Sequence, residues 1–210
     1  MTMTALLPIA LEGAEVRLEP ISLEHVPALL RASNEAPSLY AWNLVPQTEA
    51  AMDAYVRTAL AGVDQGHSMP FAIIRRRDGV VVGTTRFLSI ERWAWPPAHP
   101  HHGRSTPDVC EIGATWLAKS AMRTPVNTQA KRLLLTHAFD TWRVHRVTLR
   151  TDVRNARSRA AIERIGGKLD GIVRAERPGT DGTVRDSAMY SIVAAEWAAV
   201  RERLEQLERR

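Results

Sequence analysis

A chain of 210 residues that is 45% hydrophobic can bury one large core or two small ones. Its 28 Lys and Arg against 23 Asp and Glu leave a net charge of +5, carried mostly by arginine because Lys119, Lys131 and Lys168 are the only lysines; this favours anionic partners, but the charge is spread along the chain without a zinc-finger, RNA-recognition or recognition-helix pattern, which argues against nucleic acid. One cysteine, Cys110, excludes an internal disulfide and a CxxC metal framework, no apolar run is long enough to cross a bilayer, and no basic residue precedes Arg17 in the manner of a leader, so a reducing, cytoplasmic setting is expected.

In "AEVRLEP", Val16 and Leu18 alternate with Glu15, Arg17 and Glu19, the period of two that marks a half-buried strand. Ser22 can cap a short helix through Ser33 whose start Pro27 delays, and Thr48 caps a clearer one with Met52, Tyr55, Val56, Ala59 and Leu60 on one face. "MPFAIIRRRDGVVVGTTRFLSI" reads as a hairpin turning at Asp78-Gly79, two residues that tolerate positive φ, with Arg75, Arg76 and Arg77 as a solvated strand end. Residues 93–108, "WAWPPAHPHHGRSTPD", cannot continue a strand and read as a long irregular loop. "VCEIGATWL" is the next strand, and Gly113 within it marks a bulge or a close backbone approach.

The stretch "KSAMRTPVNTQAKRLLLTHAF" follows, then a strand "VHRVTLRTD", a helix "NARSRAAIERIG", a strand near Leu169 to Arg177, a turn "PGTDG", a strand "VRDSAMYSI" and a last amphipathic helix with Trp197, Val200, Leu204 and Leu207 on one face. No internal repeat is present. The order predicts one mixed domain of the α+β kind over residues 1–210, built around a central sheet.

Lys119, Arg123, Lys131 and Arg132 crowd a helix start, where the dipole and free N–H groups favour negative charge instead. Thr124 can cap this helix and Pro125 suits its first position, which leaves the N–H groups of Val126, Asn127 and Thr128 free. Two readings fit equally: a phosphate or pyrophosphate site, or an ordinary cap whose cations lie in solvent.

The order strand "EIGATWL", loop "RTPVNT", helix "QAKRLLLTHAF", strand "HRVTLRTD", then "NARS" and "AIERIGG" resembles the GNAT acyltransferase superfamily, in the branch of the RimJ and RimL ribosomal-protein N-terminal acetyltransferases. The resemblance is firmest over residues 80–197. It implies a mostly antiparallel mixed sheet splayed at its middle strands, with helices on both faces, and acetyl-coenzyme A (acetyl-CoA) as cosubstrate. The superfamily's pyrophosphate motif Q/R-x-x-G-x-G/A falls on Met122, Arg123, Thr124, Pro125, Val126 and Asn127. Neither glycine is present and Pro125 has no N–H to donate, so one hydrogen bond of the cradle is either missing or supplied by a side chain, for which Arg123, Thr124, Asn127 and Thr128 are the candidates.

By the same resemblance the pantetheine arm lies between the strand ending at Leu117 and the strand "VHRVTLRTD", Asn155 holds it, and the Ser158 hydroxyl lies near the sulfur. The tyrosine acid of many members falls on Ile162 here. Read from the residues alone, Asn155 and Ser158 are better taken as a helix cap, and it is the ordered match around them that favours the site reading. Glu111 is the first candidate for the base that removes the acceptor proton, with a solvent-facing or arginine-paired role as the alternative, and Glu176, beside Arg177, is the second. His99, His101, His102, Asp108 and Cys110 match no zinc spacing, so no metal is expected and the loop is placed near the acceptor site. Tyr40, Trp42, Trp93 and Trp95 could line that site or simply pack the core, and Arg154, Arg157 and Arg159 could meet nucleotide phosphates or face solvent. The expected activity is acyl-CoA-dependent acetylation of a primary amine, on a protein N-terminus or a small molecule. Use of another acyl-CoA such as succinyl-CoA, or a non-catalytic ligand- or nucleic-acid-binding role, is the alternative; a homodimer is plausible by resemblance.

Overall fold

A computed structural model describes residues 8–209; the first seven residues, part of the segment read as lacking a leader, lie outside it. Eight strands form one open sheet in the order β1-β2-β3-β4-β5-β6-β8-β7, with β1 (Leu11–Glu12), β2 (Val16–Pro20), β3 (Met69–Arg75), β4 (Val80–Glu91), β5 (Val109–Leu117), β6 (Arg146–Asp152), β7 (Lys168–Pro178) and β8 (Val184–Val193). Every neighbouring pair is antiparallel except β5 and β6. Five helices cover the sheet: α1 (Val26–Ser33), α2 (Glu49–Asp64), α3 (Val126–Thr136), α4 (Ala156–Arg164) and α5 (Trp197–Glu208). Helices α1 and α2 pack over β3 and β4 on one face, while α3 packs on β1 and β2 and carries α5 on the other.

Local chemistry accounts for these elements. Ser22 opens a short 3-10 turn, and Pro27 confines α1 to the residues from Val26 on, because its ring can occupy only the first turn. The Thr48 hydroxyl accepts the Ala51 N–H at 3.3 Å and starts α2, whose Met52, Val56 and Ala59 are buried. The β3–β4 hairpin turns where expected, but only Gly79, at φ 69°, takes the left-handed conformation. Arg75 departs from the solvated role expected of it: it is 9% exposed, and its guanidinium holds Asp78 and donates to the Ser120 carbonyl. A buried guanidinium needs such partners.

The apolar face of α5 is occupied inside the subunit, since Trp197, Val200 and Leu204 are buried and Val200 lies against Gly166. Gln129, on the buried side of α3, accepts the N–H groups of Glu15 and Val16 and so pins that helix to the start of β2.

Candidate active site

β5 and β6 form a fork. They pair in parallel only where Val109, Cys110 and Glu111 face Arg146, Val147 and Thr148; beyond Glu111 no ladder joins them. One cause lies in β5 itself, where Ala114 and Thr115 together oppose Thr85 and Ala114 takes φ 46°, a bulge one residue beyond the glycine expected to mark it. Gly113 meets the other expectation, close approach: a Cβ there would lie 2.8 Å from Glu111 Oε1 and 3.1 Å from Leu88 Cδ1. On the β4 side Gly83, at φ 153°, lets the strand pass the Trp116 carbonyl, which a Cβ would meet at 2.1 Å. At the mouth of the fork the Leu117 carbonyl accepts the buried Tyr40 hydroxyl at 3.0 Å. Burial pushes that phenol up to about 12, with the negative charge of Glu35 adding to it, so it stays a donor.

The N-terminus of α3 lies just past this mouth. Pro125 is the cap, one position earlier in the helix than expected, and its carbonyl accepts the first helical N–H, that of Gln129, at 2.9 Å. Thr124 does not cap strongly: its hydroxyl donates to the Ala121 carbonyl at 2.7 Å and receives the Val126 N–H only at 3.4 Å. Among the described residues the N–H groups of Asn127 and Thr128 have no acceptor, and Asn127 Oδ1 is buried without a partner. The amide orientation of an asparagine is an assignment, so the same position can present Nδ2 as a donor. An anion with several oxygens fits this donor set.

Of the four cations assigned to this helix start, two belong elsewhere. Lys119 and Arg123 are exposed near it, with Arg123 at φ 59°. Arg132 instead pairs with Glu208 of α5 at 2.6 Å, and Lys131 turns inward, 7% exposed, donating to Thr115 Oγ1 at 2.7 Å. One-and-a-half turns of helix separate these two from the open end, so they project onto neighbouring elements. Burial holds the Lys131 amine down to about 7, against a partly offsetting pull from Glu111. Thr115 Oγ1 also lies 2.8 Å from Thr85 Oγ1, which places this lysine directly beneath the bulge.

Across the fork, Asn155 caps α4 by accepting the Ser158 N–H at 3.0 Å, while the half-buried Ser158 hydroxyl makes no hydrogen bond among the described residues. Ile162 is buried. Met122 is half-buried and touched by Arg157, whose guanidinium also donates to the Leu39 carbonyl at 3.0 Å. Arg154 is taken by Asp152 and Asp181 and lies over the Trp42 ring; Arg159 donates to the Tyr190 hydroxyl. These protein contacts engage all three arginines expected to face phosphates or solvent.

Glu111 and Glu176, far apart in sequence, meet at one guanidinium. Arg150 of β6 grips both oxygens of Glu111 and donates to Glu176 Oε1 at 2.5 Å. Glu176 also receives Arg177 and the Ser187 hydroxyl. Burial would raise the Glu176 carboxyl, but these hydrogen bonds and the charges of Arg177 and Arg150 outweigh it and hold it at about 2, too weak a base for an ammonium. Sequence reasoning missed Arg150. The signal was the parallel register: once Glu111 is opposite Thr148, Arg150 stands two residues on, on the same face.

Glu111 pairs with Leu88 and so shares its face of the sheet, the face of α1 and α2. Along that face runs a cavity of about 550 Å³ between Thr58 and Gly62 of α2, Arg86 and Leu88 to Glu91 of β4, and Arg150 and Arg177. None of Tyr40, Trp42, Trp93 or Trp95 lines it. The 93–108 loop lies at the closed end of the fork, tied down by Asp108, which accepts the Trp93 N–H and Trp95 Nε1. His99 stacks on Trp95 at 4.0 Å, and His102 bonds the Trp95 carbonyl. His101, Asp108 and His145, a different trio from the loop cluster weighed in the sequence, bring ligand-type atoms within 4.8 Å of one another, but Arg104 already donates to Asp108 Oδ1 at 3.3 Å and supplies the positive charge there.

Residues 15–168 match the model of the acetyltransferase (GNAT) domain family. A curated relative, "Putative ribosomal N-acetyltransferase YdaF" of Bacillus subtilis (strain 168), is 37% identical over 87 residues, which are 41% of this chain and 46% of that protein, so the match spans about half of the curated relative's length. A GCN5-related N-acetyltransferase from Brucella melitensis superposes with TM-score 0.80 at 26% identity, over 97% of this chain and 86% of that one. Mycobacterium smegmatis RimJ, solved in complex with CoA-disulfide, superposes with TM-score 0.78 at 22% identity over 96% of each chain, a likeness of fold. With the forked sheet, the open α3 terminus and a family match over most of its length, this chain belongs to the GNAT acetyltransferase family.

Proposed function

We propose that the protein transfers an acetyl group from acetyl-CoA to a primary amine, of a protein N-terminus or a small molecule, by direct attack within a ternary complex. The observation that carries this reading is the parting of β5 and β6 after Glu111, with the unpaired amides of α3 beside the opening. Acetyl-CoA supplies an activated thioester; the chain's residues do the rest. Val126, Asn127 and Thr128, with Arg123, Thr124 and Met122 around them, receive the pyrophosphate, and Leu117 and Asn155 flank the pantetheine arm. The free Ser158 hydroxyl stabilises the leaving thiolate by hydrogen bonding, since a serine is a far weaker acid than a thiol of pKa about 8.5. Glu111 takes the acceptor proton through a water, which its Oε1 can still accept because Arg150 Nε fills only one of that oxygen's lone pairs. The heavily paired Glu176 fixes Arg150 and so positions Glu111.

Calorimetric titration with acetyl-CoA, with 3′-dephospho-acetyl-CoA as comparison, tests the cofactor half: tight binding that weakens without the 3′-phosphate is expected. A folded protein that binds neither would replace this reading with a binding-module role. Ser158→Ala is expected to lower turnover more than it lowers acetyl-CoA affinity.

A cytoplasmic setting is supported by the unpaired, buried Cys110 and by the lack, among the described residues, of a helix long and apolar enough to cross a membrane. A homodimer is supported by exposed Leu169, Ile172, Val173 and Val184 on the edge hairpin of β7 and β8, and light scattering at several concentrations tests it.

A further inference from the structure

We infer that the cavity beside Glu111 selects amine acceptors that also carry a carboxylate, and that Arg86 is the residue that reads it. This rests on the acetyl-transfer reading for its kinetic readout and on the geometry for its site. Arg86 stands on β4 on the same face as Leu88, and it lines the cavity with Arg150 and Arg177. Those two are already neutralised, Arg150 by Glu111 and Glu176, and Arg177 by Glu176. Arg86 is not. Among the described residues its guanidinium has no carboxylate within 4.0 Å and no hydrogen-bond acceptor, and its Nε is buried without a partner. Its guanidinium lies over the Tyr55 ring, 4.8 Å from the centroid, and that ring is held by a 3.0 Å hydrogen bond between the Tyr55 hydroxyl and Thr84 Oγ1. The remaining acid of the wall, Glu91, is exposed and five residues along the strand.

A half-buried guanidinium stacked on a fixed ring and otherwise unbonded is a preset planar fork, the geometry that matches a carboxylate through two parallel hydrogen bonds. Its Nε is dry and unpaired, at a cost of about 1–3 kcal/mol that an incoming carboxylate recovers. The charge balance points the same way. An acceptor amine arrives as an ammonium, and Arg150 already draws on the charge of Glu111, so a simple cation approaching Arg86 is repelled. An acceptor with its own carboxylate brings no net charge. A volume of about 550 Å³ accommodates an amino-acid-sized amine or the first residues of a peptide.

The test uses acceptors that differ only in this charge. Rates with acetyl-CoA are measured for the peptides Ser-Glu-Ala-amide and Ser-Gln-Ala-amide, and for 4-aminobutyrate and 4-aminobutanamide. The carboxylate member of at least one pair is expected to be favoured by roughly tenfold to a hundredfold in kcat/KM, mostly through KM, the worth of a charged hydrogen-bond pair. The pair that discriminates identifies the source as peptide or small molecule. Arg86→Gln should bring the ratio close to one, and Arg86→Lys, which keeps the charge but not the fork, should retain part of it. Acetyl-CoA affinity shows that each variant is folded, and the Lys variant carries the test if the Gln variant is not. A ratio near one in both pairs for the unaltered protein, or an unchanged ratio in a folded Arg86→Gln variant, overturns the inference while leaving acetyl transfer standing. If acetyl-CoA binds but no amine is acetylated, the transfer reading fails, and calorimetry with the same pairs decides on the site: tighter binding of the acid that disappears in Arg86→Gln sustains it, and equal binding overturns it.

Discussion

Lys131→Met removes the one lysine that the fold has turned inward while keeping a flexible side chain of similar length. The amine titrates at about 7 in the folded protein against 10.5 as its ordinary value, because burial disfavours its charge more than Glu111 restores it. Below pH 7 folded and unfolded chains both carry the proton, and the folded state bears the whole cost of the buried charge. Between about 7 and 10.5 the unfolded chain holds more protons, so stability rises with pH across that window and levels off above it. A gap of this size corresponds to roughly 3–5 kcal/mol. Methionine escapes that cost but gives up the hydrogen bond to Thr115, whose hydroxyl keeps Thr85 as a partner. The variant is therefore expected to be more stable than the parent by about 2–4 kcal/mol at pH 6, with the difference shrinking to within about 1 kcal/mol at pH 10. Urea unfolding at pH 6, 8 and 10, followed by tryptophan fluorescence, measures it. A difference that is the same at pH 6 and pH 10, or a variant less stable at pH 6, would refute the reasoning. Turnover is expected to fall by about tenfold in the same variant despite the gain in stability, because Lys131 Nζ props the bulge that opens the fork.

Glu111→Gln breaks a nearly buried ion pair and should cost about 3 kcal/mol, the lower end of the usual range because Arg150 keeps Glu176. Its turnover should drop by roughly a hundredfold with acetyl-CoA affinity little changed, and an unchanged pH–rate profile would remove Glu111 from the base role. Glu176→Gln should lose about 2–3 kcal/mol at pH 7, since a carboxyl held at about 2 contributes stability above its ordinary 4.5 and loses it as pH falls toward 2. Unfolding at pH 7 and at pH 3 checks this, and equal losses at both would contradict the ion-pair origin. Gly83→Ala places a Cβ against the Trp116 carbonyl and should destabilise the β4–β5 ladder by about 3–5 kcal/mol; a melting temperature within about 2 °C of the parent would mean that the strands give way easily.

Much of this architecture was legible one element at a time. Alternation at Val16 and Leu18, the Thr48 cap, the Asp78-Gly79 turn and the apolar stripe of the last helix each encode their element within a few residues, because hydrogen bonding and burial over one turn or one strand are local. The run "EIGATWL" through "AIERIGG" carried the family, and with it the forked sheet. Composition could not say where a charge would point. Lys131 and Arg132 are consecutive basic residues on one helix, yet one lies beneath the sheet and the other pairs with Glu208, since about 100° of helical rotation separates them. Glu111, Arg150 and Glu176 come from three strands separated by dozens of residues, and only the parallel register of β5 on β6, with β7 reaching back over them, makes them one cluster. Arg86 looks in the sequence like any other arginine of the chain; that it alone among the cavity's arginines lacks an acid follows from which side chains the folded sheet brings within reach. Periodicity and caps determined the elements of this protein from its sequence, whereas the pairing of its charges was decided by long-range packing, because Coulomb and hydrogen-bond partners are set by distance in space and not by spacing along the chain.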